Sequence, residues 1–451
     1  MKQIVIFKKK APTFQSEAQE NWFLLLLCVI LSGLLCFTQI QGNNLLILLC
    51  LLGCLLLLAG ACRQDKALPV LLYFLPWSPL MRLNPESISF FTIGLLLVCV
   101  ISLIRNGLSF DLYQLVLTAA LAALTLAAKL IQGNSIENSY LCFLVMLLLF
   151  PCVIRGQGQH LHFWELTVYF AFGIIVAALS AQQVANYPRI SAYITVNSYA
   201  TITRLSGYYG DPNFYAAQIT ACLAGMLLLL EREVKLFRRL LLGLLSMLLL
   251  YCGLLSASKS FIIITACLFL VWVPMLMKRS RHGAHLRLLA GGLCAALILL
   301  SFSGVQELLR IMDTRFSYSA NVSQLTTGRT DLWHGYLEEL SRNIPLLLLA
   351  QGYSKTRLDM GASHNTILQG IYQFGLVGFP LLWAWMYSAL KKIFPASAQA
   401  HLRGAPLLLL CIGVVLPWMA LDILFFDELF LLPTYVLVGS TYTITQETSP
   451  R

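Results

Sequence analysis

Long apolar runs, separated by short polar segments, make up most of this chain. A helix needs roughly 17 to 25 apolar residues to cross the hydrocarbon core of a bilayer. On that criterion the sequence predicts fourteen spans, at 22–40, 44–61, 68–81, 88–104, 112–131, 138–154, 163–183, 213–230, 240–256, 260–277, 288–304, 365–389, 405–421 and 427–442. We therefore expect an all-α polytopic membrane protein with about 12–14 transmembrane helices, forming a single integral membrane domain over residues 1–451.

The third predicted span, 68–81, is short and contains three prolines, so the sequence predicts a broken or re-entrant element there. With the N-terminus inside, the basic residues at 232–239 and 278–287 lie on the cytoplasmic face, in agreement with the positive-inside rule. Omission of the third span would move both basic clusters outside. We therefore expect an even number of spans, with two long outer loops at 184–212 and 305–363.

The composition agrees with a membrane protein and excludes a soluble domain. Hydrophobic residues make up 58% of the chain, charged residues 11%, and the mean hydropathy is +0.76, whereas about a quarter of the residues in soluble domains are charged. The net charge of +11 does not indicate nucleic-acid binding, because the basic residues cluster in short loops between apolar runs. The thirteen cysteines lie in or beside the spans without Cys-x-x-Cys spacing, so we expect neither disulfides nor structural zinc.

The first polar motif on the outer side contains Arg204 and, a few residues later, the sequence Asp211-Pro212-Asn213. Asp followed by Pro predicts a helix N-cap and a first helical position, because proline has no N–H to lose there. A helix N-terminus beside an arginine can bind an anion. The alternative interpretation is a capped helix with a solvated arginine near the membrane surface.

The second motif lies in the loop at 305–363, and a loop of this length is uncommon unless it is functional. Gly328-Arg329 begins a segment in which Trp333, Tyr336, Leu337 and Leu340 recur at helical spacing. The pattern predicts a helix that lies along the membrane surface or packs beneath the loop. A cation in the first turn, such as Arg329, opposes the helix dipole, which indicates either an anionic partner or an ordinary surface ion pair.

The third motif is His364-Asn365 at the edge of the span 365–389. Only His334 and His364 of the seven histidines face outward in the predicted topology. An imidazole at this edge could accept or orient a hydroxyl proton, or it could simply cap polar groups of the helix. Lys259, at the outer start of another span, is a further candidate cation or a lysine that extends to the membrane interface.

Taken in order, these motifs resemble the O-antigen ligase and O-antigen polymerase superfamily of bacterial membrane glycosyltransferases. The resemblance covers about residues 165–390 and follows the family pattern in order and topology. Its elements are Arg204 with Asp211-Pro212-Asn213, Ser258-Lys259, Gly328-Arg329 with Trp333, Gly352-Tyr353, His364-Asn365 and Gly375-Leu376-Val377-Gly378. This chain differs from the family pattern at Lys259, where arginine is expected, and at Ser354, where a second glycine is expected.

The resemblance implies a fold like that of lipid-dependent (GT-C-like) glycosyltransferases, with the long loop covering a cavity. It implies multi-pass insertion in the bacterial cytoplasmic membrane, an active site on the outer face, and a donor glycan linked to undecaprenyl diphosphate. The implied catalytic residues are Arg204 and Arg329, which would hold the diphosphate, and His364, which would orient or deprotonate the acceptor hydroxyl. Lys259, Asp211, Asn213 and Asn365 would complete the substrate-binding set.

The resemblance also implies inversion at the anomeric carbon without a metal or another cofactor. The expected partners are the lipid-linked donor, a glycan or lipid acceptor and membrane lipid, but not nucleic acid. The sequence does not distinguish a polymerase from a ligase, and it does not define the oligomeric state. The alternatives from other classes are a transporter or flippase of lipid-linked oligosaccharide and a membrane scaffold. A transporter would carry ionisable residues inside its spans, which are almost free of charge here.

Overall fold

The computed structural model describes the chain except residues 1–3, 6–20, 108, 111, 158–161, 192–196, 200–201, 210, 234, 280–302, 318–327, 353–362, 392–403, 422–425 and 448–451. The helices of the first half are α1 (Trp22–Gln41), α2 (Asn44–Arg63), α3 (Ala67–Phe74), α4 (Phe90–Asn106), α5 (Leu112–Ile131), α6 (Asn138–Gln157), α7 (Phe163–Val184) and α8 (Pro188–Ser191). Those of the second half are α9 (Pro212–Arg232), α10 (Leu236–Leu255), α11 (Lys259–Arg279), α12 (Ser303–Ser317), α13 (Arg329–Arg342), α14 (Ile344–Leu349), α15 (Thr366–Lys391), α16 (Ala405–Val414) and α17 (Phe426–Glu447).

Eight of the described helices are long and apolar enough to cross a membrane, namely α1, α2, α5, α7, α9, α10, α11 and α15. Five shorter apolar helices, Ala67–Trp77, Phe90–Asn106, Tyr140–Ile154, Ala405–Ala420 and Phe430–Ser440, coincide with further predicted spans. The predicted span 288–304 lies almost entirely outside the described residues. The fold is therefore that of an all-α multi-pass membrane protein, and the number of about 12–14 spans stays a prediction.

Two short antiparallel ladders accompany the helices and were not part of the all-α prediction. Strand β1 (Ile4–Val5) pairs with β2 (Ser109–Phe110). Strand β3 (Asn197–Tyr199) pairs with β4 (Ile202–Arg204), with Asn197 opposite Arg204. The second ladder ends at Arg204, a residue of the first polar motif.

Charged contacts define one end of the helix bundle, which we call the basic end. Lys66, between α2 and α3, forms a half-buried ion pair with Glu165 in the first turn of α7. Arg105, in the last turn of α4, pairs with Asp65 at 3.1 Å. Four helix ends therefore lie together at the basic end, namely the end of α2, the start of α3, the end of α4 and the start of α7.

Polar contacts define the opposite end, which we call the site end. Ser258, just before α11, donates a hydrogen bond to Asn213 in the first turn of α9 at 2.8 Å. Thr366, the first residue of α15, donates to the carbonyl of Leu421 at 2.5 Å. Leu421 follows the 3-10 turn Leu416–Ala420 after α16. The starts of α9, α11 and α15 therefore lie at the site end, where the predicted motifs also lie.

Helix α3 and its 3-10 extension Leu75–Trp77 cross from the basic end to the site end, although they are short. The chain leaves the basic end at Lys66, and the Tyr73 hydroxyl then contacts Ser32 near the middle of α1 at 2.8 Å. Gln39, in the last turn of α1, donates to the carbonyl of Leu80 at 3.0 Å. The broken third span is therefore confirmed, and these contacts agree with an even number of crossings.

We expect Gly173→Ala to destabilise this packing. A Cβ at Gly173 of α7 would lie 2.2 Å from the backbone carbonyl oxygen of Tyr73 in α3, which forces the two helices apart. Overpacking of this kind costs about 1–3 kcal/mol, and the thermal midpoint of the purified protein should fall accordingly. Gly60→Ala is the matched control, because a Cβ there meets no atom within 4 Å. Equal midpoints for the two variants would contradict the packing of α3 on α7.

Candidate functional site

The start of α9 has the cap that the sequence predicts. Asp211 is the N-cap residue, and its Oδ1 accepts hydrogen bonds from the backbone N–H of Asn213 at 2.7 Å and from the Asn213 side chain at 3.0 Å. Pro212 occupies the first helical position. Because the side-chain NH2 group of Asn213 donates to Asp211, the Oδ1 atom of Asn213 faces the opposite way, towards Arg204.

Arg204 is buried, with 5% of its surface exposed. Its Nε donates to the carbonyl of Ser256 at 3.0 Å, and its Nη2 donates to Asn213 Oδ1 at 3.3 Å. The interpretation of Arg204 as a solvated arginine near the surface is therefore wrong. These two acceptors fix the direction of the guanidinium.

A turn rich in serine joins α10 to α11 and completes the surroundings of Arg204. The Ser258 hydroxyl contacts both Asn213 Oδ1 and the Ser260 hydroxyl at 2.8 Å. Between Ser256 and Ser258, Ala257 has a φ of +46°, in the left-handed region that is costly for a residue with a Cβ. The next residue, Lys259, is half-buried at the first position of α11. Arg204, Asn213, Ser258 and Lys259 therefore form one group, which we call the arginine cluster.

Helix α13 packs on α14 and α15. Tyr336 and Leu340 are buried against Leu346 of α14 and against Leu368 and Tyr372 of α15. Leu337 does not share this face, since 55% of its surface is exposed, although its spacing predicted that it would. Arg329 is half-buried at the first position of α13, one turn before Trp333.

The third motif forms a strained corner at the start of α15. Asn365 Oδ1 accepts hydrogen bonds from the N–H groups of Ile367 and Leu368, at 3.0 and 3.2 Å, and so caps the helix. His364, immediately before it, is half-buried and has a φ of +49°. Left-handed conformations cost energy in non-glycine residues and cluster at functional sites.

Trp333 connects α13 to this corner. Its indole N–H donates to the carbonyl of Ser363 at 2.9 Å, and Ser363 also accepts a hydrogen bond from the Asn365 N–H at 3.2 Å. The structure therefore brings the Arg329 and His364 segments together, in a group that we call the histidine cluster. The 3-10 turn Leu416–Ala420 contacts both α11, which begins beside the arginine cluster, and α15, which begins at the histidine cluster.

A buried carboxylate that the sequence motifs do not include also lies at the site end. Glu428, in the first turn of α17, is 3% exposed, and its Oε1 accepts a hydrogen bond from Gln218 Nε2 at 2.8 Å. The same nitrogen contacts the Tyr209 hydroxyl at 2.5 Å, and that hydroxyl donates to the carbonyl of Leu75 at 3.1 Å. An acidic residue inside an apolar span was the signal in the sequence, since such residues are costly and usually functional.

Tyrosines anchor the segment 205–209, which follows Arg204. The Tyr208 hydroxyl contacts Ser180 of α7 at 3.0 Å and the thiol of Cys36 in α1 at 3.3 Å, and its ring packs on Trp77. Burial raises the pKa of Tyr208, so its hydroxyl stays neutral at physiological pH. The contacts of Tyr208 therefore hold this segment, and with it Arg204 and Asp211, against α1 and α7.

The eight long apolar helices, and the polar residues gathered at their two ends, define a multi-pass all-α membrane protein. Protein-family models give no match to this chain, and curated proteins give no match either. Within the described residues, no three His, Cys, Asp or Glu side chains lie together in a way that could hold a metal ion. The function is therefore argued from the site alone.

Proposed function

We propose that this protein transfers or polymerises an oligosaccharide linked to undecaprenyl diphosphate, as a polysaccharide polymerase or an O-antigen ligase does. The observation that carries the proposal is the buried guanidinium of Arg204, which donates to the Ser256 carbonyl and to Asn213 at the start of α9. A buried, oriented cation at a helix N-terminus suits a phosphate group, because the N-terminal N–H groups and the helix dipole also favour an anion.

In this proposal the arginine cluster binds the diphosphate of the donor. Arg204 and Lys259 supply positive charge, and Arg329 adds a further guanidinium from the start of α13. Asn213 orients Arg204, and Asp211 holds Asn213 in turn, so both of these residues contribute through Arg204. Donors that are fixed before the reaction stabilise the negative charge that develops on a leaving diphosphate.

His364 acts on the acceptor in the same proposal. The acceptor hydroxyl attacks the anomeric carbon from the side opposite the diphosphate, and its proton passes to the imidazole. A new glycosidic C–O bond forms, the bond between the anomeric carbon and the diphosphate oxygen breaks, and undecaprenyl diphosphate leaves. The configuration at the anomeric carbon is inverted, and no cofactor is needed. Asn365 supports His364 by capping the helix that follows it.

The proposal includes the GT-C-like architecture and the outer-face position of the site. The supporting observation is the position of Arg238 and Arg239 in the first turn of α10, at the opposite end of the bundle from the arginine cluster. The positive-inside rule assigns such basic residues to the cytoplasm. The site end then faces outward from the bacterial cytoplasmic membrane, the side on which the family that the sequence resembles uses its lipid-linked donor.

Glu428 favours a second candidate function, the transport of a lipid-linked oligosaccharide. Buried carboxylates inside spans mark substrate and proton pathways in transporters, and Glu428 with Gln218 forms such a site between α9 and α17. The transporter candidate predicts that Glu428→Gln impairs function while His364→Ala does not. The glycosyltransferase candidate predicts that His364→Ala impairs function more strongly.

Reconstitution in liposomes with undecaprenyl-diphosphate-linked repeat units tests the proposal and separates its two forms. A ladder of longer lipid-linked glycans without added acceptor identifies a polymerase. Product that forms only when a separate lipid or protein acceptor is present identifies a ligase. The rate should be unchanged by EDTA. Movement of intact lipid-linked units across the bilayer, without any new glycosidic bond, would identify the transporter instead.

We expect Trp333→Phe to lower kcat about five- to tenfold, since it removes one hydrogen bond to the Ser363 carbonyl, worth about 1 kcal/mol, and so loosens His364. KM for the donor should change less than kcat, because Arg204 and Lys259 are untouched and Arg329 alone of the donor-binding cations lies on α13. Steady-state kinetics in the reconstituted assay provide the measurement. Trp22→Phe, at a half-exposed position in the first turn of α1, is the control. Equal kcat values for both variants would show that the contact of α13 with Ser363 does not contribute to the reaction.

A further inference from the structure

Lys129, in the last turn of α5, is fully buried. Its Nζ donates to the carbonyl of Ser135 at 2.9 Å and lies 5.3 Å from the centre of the Tyr140 ring in α6. Lysine is almost never fully buried unless it is paired. A lysine that only balanced the dipole at the end of α5 would extend its ammonium into water. The burial of Lys129 must therefore be explained by the residues that cover it.

The segment 350–352, directly after α14, covers Lys129. A Cβ at Gly352 would lie 2.5 Å from Lys129 Cγ and 2.8 Å from the Thr125 carbonyl oxygen, so only glycine fits there, and its φ is +74°. Beside it, Asn134 Nδ2 donates to the backbone carbonyl of Gln351 at 3.0 Å and to its side-chain carbonyl at 2.8 Å. We call Lys129 and Asn134 the dock of this segment.

The docked segment also holds the first part of α15. The Gln351 N–H donates to the Tyr372 carbonyl at 3.2 Å. Gly375 has a non-helical backbone, with φ +72° and ψ 173°, and a Cβ there would lie 2.2 Å from the Leu348 carbonyl oxygen. The residues 366–374 are therefore a short helical piece, which the kink at Gly375 separates from the rest of α15. His364 and Asn365 stand at its beginning.

We propose that Lys129 is a positioning residue for His364. The dock fixes Gln351 and Gly352, these fix the helical piece 366–374, and that piece sets the place of His364 at the site end. The hydrogen bond from the ammonium to the Ser135 carbonyl fixes the Lys129 side chain in place, and the aliphatic part that is held in this way forms the surface on which Gly352 rests. This inference rests on the proposed function of His364, but the link from Lys129 to the helical piece is testable without it.

The test compares Lys129→Met and Gly352→Ala with matched controls. Lys129→Met keeps the aliphatic chain and removes the ammonium, and Leu130→Met on the exposed side of the same turn is its control. Gly352→Ala adds a clashing Cβ, and Gly133→Ala is its control, because Gly133 also has a positive φ, of +66°, but meets no atom within 4 Å. The two readouts are hydrogen exchange of the amides at 366–374 and steady-state kinetics in the reconstituted assay.

We expect faster exchange at 366–374 in Lys129→Met and Gly352→Ala than in their controls, and kcat about tenfold to a hundredfold lower with little change in KM, since small misplacements of a catalytic group cost that much. Unchanged exchange at 366–374 would overturn the proposal whatever the activity. Uniformly faster exchange throughout the chain would also overturn it, because it would indicate general destabilisation. If His364→Ala is fully active while exchange responds as expected, the function proposed for His364 fails and the dock stands.

Discussion

Arg204→Ala is expected to lower kcat/KM for the lipid-linked donor by about 10²- to 10³-fold, the loss typical of removing one oriented group that stabilises developing negative charge. The guanidinium is buried, and the Ser256 carbonyl and Asn213 fix its direction. Arg204→Lys should recover only part of the loss, because an ammonium keeps the charge but lacks the two fixed donor directions. Kinetics at saturating acceptor measure both variants.

The control for Arg204 is Arg189→Ala. Arg189 also lies near the end of α1 at the site end, where its Nη1 donates to the Gly42 carbonyl at 2.8 Å, but it takes no part in the arginine cluster. Loss of Arg204 also leaves the Ser256 carbonyl without that donor, which costs about 1–3 kcal/mol, so the thermal midpoint is measured in parallel. A folded Arg204→Ala protein with the same kcat/KM as Arg189→Ala would contradict the assignment of the arginine cluster.

His364→Asn is expected to lower kcat by about 10²- to 10⁴-fold, the usual contribution of a positioned general base. Asparagine is the informative replacement, because it tolerates the positive φ of +49° at this position and removes the imidazole. KM for the donor should stay nearly constant, since His364 acts on the acceptor. Turnover at saturating donor and acceptor provides the measurement.

His334→Ala serves as the control, because His334 is exposed on α13 and belongs to the same part of the chain. It should retain full activity. If His364→Asn retains full activity as well, proton transfer does not pass through His364. Glu428, a buried carboxylate at the site end, would then be the group to test next.

Local features of this protein could be predicted from the sequence. The N-cap at Asp211 followed by Pro212 depends on neighbouring residues alone, and the structure confirms it. The helical spacing of Tyr336 and Leu340 correctly predicted a helix with a buried face. Apolar runs likewise located most helices to within a few residues, because the thickness of a bilayer constrains their length.

Features that depend on distant residues could not be predicted. The burial of Arg204 depends on the Ser256 carbonyl, which lies 52 residues further along the chain. The positive φ values of Ala257 and His364 arise because packing on both sides determines the backbone between them. The role of Lys129 depends on Gly352, for which the sequence carries no pairing signal.

The short third span shows why hydropathy alone leaves the number of spans open. The helix and 3-10 turn of Ala67–Trp77 are buried against α1 and α7, so most of their surface faces protein instead of lipid. An element enclosed in this way does not have to match the hydrocarbon thickness, since neighbouring helices satisfy its polar groups. The Tyr73 contact with Ser32 is one such interaction.

The proposed glycosyl transfer is tested most directly by following both products of one turnover. The reaction is carried out in liposomes that contain the purified protein and undecaprenyl-diphosphate-linked repeat units. Mass spectrometry counts new glycosidic bonds and released undecaprenyl diphosphate, and NMR determines the anomeric configuration of the new bond. If the protein is a glycosyltransferase as proposed, we expect one undecaprenyl diphosphate released for each bond and an inverted configuration at the new bond. Both products should be lost in Arg204→Ala and His364→Asn. Intact lipid-linked units recovered on the opposite leaflet, with no new bond, would contradict the proposal.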